Sequence, residues 1–197
     1  MKHLLSTVSV LSILSVTTLF AAPQSYKIDK AHSNVDFSVQ HMVLSKTKGS
    51  FSDYTGTILW DASKPQNSQI SGALMVNSID TKDKKRDDHL KSKDFFDAET
   101  HPKITLTDTK IESTKKDGYQ LTGKLTIKGV TKNVVAPLIV QGPIKDPWGN
   151  DRIHFNATFS INRQDYGITW NKIMDNGGLV VGNQVNIDID IEAIAGK

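Results

Sequence analysis

Three stretches of the chain alternate apolar and polar residues almost without interruption: Leu121–Lys128, Ile153–Asn162 and Val185–Glu192. A repeat of two places successive side chains on opposite faces of an extended strand, so each stretch has one apolar and one polar face. Several such strands in a small chain must curl until the apolar faces meet. If the sheet closes on itself, its inner face becomes a packed core or a pocket for an apolar guest. Alternation alone leaves both open.

The start of the chain has a different character. Met1-Lys2-His3 is a short basic region, Leu4 to Phe20 carries no charge, and Ala21-Ala22 supplies small residues. This is the pattern of a secretory signal peptide, expected over residues 1–21 with cleavage after Ala21, leaving one domain over residues 22–197. A membrane anchor is the competing reading, but Ser6, Ser9, Ser12, Ser15, Thr17 and Thr18 interrupt a run barely long enough to span a bilayer. The expected location is therefore the periplasm or the extracellular space. The sequence has no cysteine, which excludes disulfides, thiolate catalysis, zinc–cysteine sites and a lipoprotein anchor. The roughly 175 residues of the mature domain can bury a sizeable core without such staples. The formal charge is only +3, and basic residues are mixed with acids, as in Lys82–Asp88. No basic stripe suits nucleic acid, and none is expected as a partner.

Further strands are read at Ser33–Gln40, Ser50-Phe51 with Gly56–Trp60, Gln69–Ile79, Lys103–Ile111, Tyr119–Lys128, Val134–Val140 and Leu179–Ala195. Pro137 suggests that its strand is an edge or carries a bulge. Lys116-Asp117-Gly118 reads as a hairpin turn. Thr81–Asp97 lacks strand periodicity and fits one or two short helices, with Thr81 and Ser92 as caps. The expectation is an all-β antiparallel barrel or sandwich of about eight strands with a short helical insertion.

Alternation assigns Val35, Phe37, Val39, Leu121, Leu125, Ile127, Ile153, Phe155, Phe159, Ile187 and Ile189 to the interior. Gly123 and Ala157 are small inward residues that would leave room there. Trp170, Ile173 and Met174 lie between Gly167 and Gly177-Gly178 and are expected at the barrel mouth; an ordinary loop cluster is the alternative. His32 and His89 have acids nearby but no ligand spacing, so hydrogen bonding is expected and no metal site. His154 alternates outward. Arg86 and Asp87 are expected as a buried pair. Ser33 beside His32 lacks a nucleophile elbow, and nothing fixes a separation between Asp94 and Asp97, so no catalytic set is expected.

A set of short motifs in fixed order carries a resemblance. These are Ile28–Phe37; Gly49-Ser50-Phe51 with Gly56; Asp80-Thr81; Arg86–Leu90; Asp94–Asp97; His101-Pro102; Leu125–Thr131; and Arg163–Ile168. In this order they resemble the YceI-like family of exported lipid-binding barrels, across nearly all of the mature chain. His101 departs from the aromatic residue often found before that proline. The resemblance implies an extended lipocalin-like barrel with a long apolar ligand in its lumen, a polyisoprenoid or a quinone tail, and no other cofactor. It also implies a homodimer, and transient membrane contact is a further expectation. The ligand-lining residues expected on this basis are Val35, Phe37, Val39, Phe51, Leu125, Ile127, Phe155, Phe159, Trp170, Ile173, Met174, Ile187 and Ile189. The function expected is transport, storage or sequestration of that lipid. A ligand-free barrel with a packed core is the alternative, and a hydrolase a more distant one.

Overall fold

The computed structural model describes residues 22–115, 118–174 and 178–196. The signal-peptide segment, Lys116-Asp117 of the expected hairpin turn, and Gly177 lie outside these residues. Among the described residues, no helix is long and apolar enough to cross a membrane.

In chain order the strands are β1 (Gln24–Ile28), β2 (Asn34–His41), β3 (Ser45–Phe51), β4 (Tyr54–Trp60), β5 (Gln69–Met75) and β6 (Ile79–Asp80). Helix α1 (Lys84–Lys91) follows, then β7 (Lys103–Ser113), β8 (Tyr119–Ile127), β9 (Val130–Lys145), β10 (Asp151–Asn162) and β11 (Val181–Ala195). All pairings are antiparallel, and β1 pairs with β11 to close the sheet.

Eleven strands fill eight positions around the wall, because three positions are each split in two. β1 and β2 run end to end beside β11, Tyr26 opposite Ala195 and Val35 opposite Ile189. β4 and β3 lie beside them, and β5 and β6 beside those in turn. The three breaks fall at one level and are bonded together. Ser52 N donates to Ser78 O at 3.3 Å and Met75 N to Asp53 O at 2.9 Å. The Tyr54 hydroxyl donates to Ser33 O at 2.8 Å. These breaks form a transverse seam across three of the eight wall positions. The other five positions are uninterrupted strands.

Beyond the seam, β6 bonds to β3, whereas β7 bonds to β5, so the wall parts between β6 and β7. Helix α1 lies in that interval. Its N-cap is Asp83, whose carboxylate accepts from Arg86 N at 3.0 Å, and Ser92 ends it. Thr81 is thus not the cap: it lies two residues too early and is used otherwise. Its N and hydroxyl donate to Asp87 Oδ1, while Arg86 donates through Nε to Thr81 Oγ1 and through a terminal nitrogen to Thr81 O. The expected Arg86–Asp87 buried pair is therefore corrected. Arg86 is exposed, and both side chains converge on buried Thr81 instead of on each other.

Pro137 lies within β9, opposite Gln120 of β8, while the pairing of β9 with β10 begins at Ile139. At Pro137 the strand has a ladder partner on the β8 side alone, the edge-like setting in which a proline is tolerated.

Inward residues form two packed groups. Around the closed end, Tyr26, Trp60, Ile111, Leu121, Ile153, Phe155 and Ala193 are buried. Toward the α1 end, Phe51, Val76, Ile79, Phe95, Ile104, Leu125 and Tyr166 are buried. Burial of apolar surface on this scale is the main stabilising term of such a barrel.

Candidate functional site: an apolar lumen

The barrel floor is aromatic. The Trp60 ring meets Tyr119 edge-on at 5.0 Å and Phe155 at 5.6 Å, a preferred geometry for such rings. Above it lies a lower cavity of about 70 Å³ bordered by Ile58, Leu121, Ala136, Phe155, Ala157 and Ile191. An upper cavity of about 140 Å³ is bordered by Val35, Phe37, Val39, Phe51, Leu125, Ile127, Ile187 and further residues. Phe159 and Ile189 belong to both walls and mark the neck between them. Apart from Asp36 and Arg163, the upper wall consists of aliphatic and aromatic residues.

Thus Val35, Phe37, Val39, Phe51, Leu125, Ile127, Phe159, Ile187 and Ile189 surround the upper cavity, and Phe155 sits lower, above the floor. Trp170 lies against α1, its ring 4.9 Å from His89 and 5.3 Å from Phe95, and borders a cleft leading from the upper cavity. Two expectations need correction. Ile173 is 78% exposed, turned outward where it bridges to Leu179. Met174 is half-buried in the same hairpin, its N bonded to Gly178 O, and belongs to neither cavity wall. Gly123 does not leave free room either. A Cβ there would lie 3.0 Å from Leu106 Cδ1, so Leu106 fills that place.

Sequence reasoning missed the residues that α1 and the segments around it bring to the wall. Leu90, Phe95, Phe96, Tyr166 and Ile168 all border the upper cavity. Leu90, Phe95 and Phe96 come from α1 and the turns after it, and Tyr166 and Ile168 from the segment after β10, where a period of two gives no signal; Leu74, Ile104, Ile161, Val181 and Val185, on strands, also border the cavity and were not singled out. The resemblance motifs did contain the first five, but without assigning a direction. His101, the noted departure, packs its ring over Gly129, where a Cβ would come within 2.7 Å.

Arg163 is the charged side chain buried in this wall, 4% exposed. Its donors reach Gly182 O, Ile168 O, Trp170 O, Val181 O and Asn183 Oδ1. The guanidinium carries five N–H groups, and five acceptors use them. Arg163 thus clamps the segment after the last 3-10 turn onto β11 and keeps no donor for a guest. Burial pulls its pKa below the ordinary arginine value.

A second polar group lies outside the lumen. Arg152 donates to Asp146 Oδ2 and Asp29 Oδ2, both at 2.8 Å, and to Glu192 Oε1. Its guanidinium, followed by His32 at 3.0 Å, holds the Asp29 carboxyl down at about 2. Asp29, His32 and Glu192 come close enough to suggest metal ligation. Arg152 already supplies the positive charge their carboxylates need, so this is an ion-pair cluster tying β1's end to β10 and β11. His89 bonds Asp94 at 2.9 Å, and His154 faces Asp190 outside the barrel. Among the described residues, no buried side-chain nitrogen or oxygen lacks a partner.

A closed antiparallel barrel with an apolar lumen defines a lipocalin-like class of small-guest barrels. Residues 26–193 match the YceI-like domain, and the chain belongs to that family. It is 40% identical over 174 residues to a UPF0312 protein of Pectobacterium atrosepticum, covering 85% of this chain and 87% of that one. With a UPF0312 protein of Pseudomonas putida it shares 36% over 187 residues, covering 92% and 94%. Among solved structures, Burkholderia cenocepacia BcnA superposes with a TM-score of 0.74 at 26% identity, over 84% of this chain and 98% of that one. A Campylobacter jejuni YceI protein does so at 0.69 and 31%, over 87% and 98%. A polyisoprenoid-binding domain from Saccharophagus degradans shares the fold at 0.65 and 17%, over 88% and 99%.

Proposed function

We propose that this protein is an exported, non-enzymatic carrier that holds one long apolar chain, a prenyl lipid or quinone tail, along its lumen. The observation carrying this reading is the run of two apolar cavities from the aromatic floor through the Phe159–Ile189 neck to the α1 end. The fold shared with a polyisoprenoid-binding domain from Saccharophagus degradans supports the same class of ligand. The leader-like stretch at residues 1–21 supports export. A prenyl chain is poorly soluble in water, and burying about fifteen methylenes is worth roughly 12 kcal/mol before ordering costs are subtracted.

The cavity volumes favour a second reading, a barrel packed by its own side chains. An engineered cavity of about 150 Å³ holds a single benzene. Here the upper cavity is about 140 Å³, so a long chain requires the walls to move apart.

Native mass spectrometry of the purified mature protein, followed by organic extraction, separates these readings. A stoichiometric prenyl lipid or quinone establishes the carrier. An apo mass from lipid-rich cells, with no uptake of added prenyl lipid, establishes the packed barrel.

A further inference from the structure

A cleft leaves the upper cavity between β2 and α1. The two share Phe37, Val39, Leu90 and Phe95, and the cleft runs out to His41 and Val180. At that outlet Met42 N donates to Val180 O at 3.0 Å, tying the β2–β3 turn to the hairpin of Ile173 and Leu179. The paired tips expose Val43 at 71%, Leu44 at 88% and Ile173 at 78%. Isolated exposed apolar residues are ordinary; a group at a cavity outlet asks for a partner.

The backbone gives a second, independent sign. Leu44 N donates to His41 O at 3.1 Å, and the two residues between have φ of 50° and 63°. Such a turn favours Asn-Gly, and a left-handed β-branched residue is costly. Met42 and Val43 occupy it nonetheless, so an apolar tip is kept against local preference.

The third sign is charge. Lys46 and Lys172 belong to the two tip hairpins, and Lys85 and Arg86 line the cleft. Lys82 and Lys84 pair with Asp80 and Asp88, Lys85 and Arg86 act on the Asp83 carboxylate, and Arg86 also donates to Thr81, whereas Lys46 and Lys172 have no ion-pair partner among the described residues. Asp83, the acid on the cleft wall, is engaged by the α1 N-terminus.

From apolar tips flanked by Lys46 and Lys172, above a cleft lined by Lys85 and Arg86, we infer that this end docks on an anionic phospholipid bilayer, with Val43, Leu44 and Ile173 entering the acyl boundary. The cations meet lipid phosphates, and the cleft opens toward the membrane. The inference rests on the carrier reading for its purpose, but its test does not. The mature protein is floated with phosphatidylethanolamine vesicles, with and without phosphatidylglycerol, beside a variant carrying V43D and L44D. Folding of both is checked by circular dichroism, and bound lipid by extraction. The wild type is expected on phosphatidylglycerol vesicles, released by salt, with the variant at least about tenfold weaker while folded and equally loaded with lipid. Equal partition of wild type and variant overturns docking through the tips. So does absence of vesicle binding with a wild-type dimer that the variant splits, because the tips then meet another copy. Vesicle binding lost in the variant, with no lipid extractable from either protein, upholds docking and removes the carrier reading instead.

Discussion

At the scale of single residues, two arginines divide the polar work. Arg152 holds three carboxylates outside the barrel, and this makes stability depend on acid. The Asp29 carboxyl sits at about 2, below its ordinary value of 3.8. A lowered folded value means that unfolding takes up protons, so the stabilisation is complete above about pH 4 and fades as pH falls through about 2. Urea midpoints followed from pH 6 downward should therefore drop below pH 4 in the wild type, with a shallower drop in Asp29→Asn. Equal slopes would assign the acid dependence elsewhere. Arg163 differs in kind, since its five acceptors are neutral carbonyl and amide oxygens. Lysine has three donors for those five acceptors, so Arg163→Lys should cost about 2–3 kcal/mol in chemical denaturation. It should also red-shift Trp170 emission as the clamped segment loosens.

At the scale of elements, the inner face was legible where strands alternate. Val35, Phe37 and Val39 on β2, Leu125 and Ile127 on β8, and Ile187 and Ile189 on β11 all reach the upper cavity, because a period of two fixes the face once one side is buried. The helical insertion was legible as a break in that period. Its cap was not, because Thr81 and Asp83 are both good capping residues and only three-dimensional register separates them. Ile173 stands at the outlet but was wrongly counted among the lining residues, because outside a ladder an apolar residue has no face that sequence can fix. One packing detail gives a test. Gly49 on β3 lies under the Phe37 ring, with a built Cβ 2.4 Å from Phe37 Cζ and 2.8 Å from Thr81 Cγ2. Gly49→Ala should push that ring into the lumen, lower stability by about 1–3 kcal/mol, and reduce uptake of a fluorescent prenyl analogue. Unchanged uptake would remove Phe37 from the ligand path.

At the scale of the molecule, the neck at Phe159 and Ile189 sets how far a chain can reach. Phe159→Ala should join the two cavities and cost about 3–5 kcal/mol in the ligand-free protein. Part of that should return when a chain fills the space, so the thermal midpoint of the variant should rise more on lipid addition than the wild type's. An equal rise would place the chain wholly above the neck. The number of wall positions was legible from the count of strand-like segments between turn signals, only some of which alternate. That three of them are split was not, since each break is a short run of ordinary turn residues. Those splits have a mechanical meaning. A staved cask hoops evenly, but this one has five whole staves and three sawn through at one height. Strain from an oversized guest gathers at the cut, so girth is adjustable on one side and fixed on the other, and amide exchange should trace that division lengthwise down the wall.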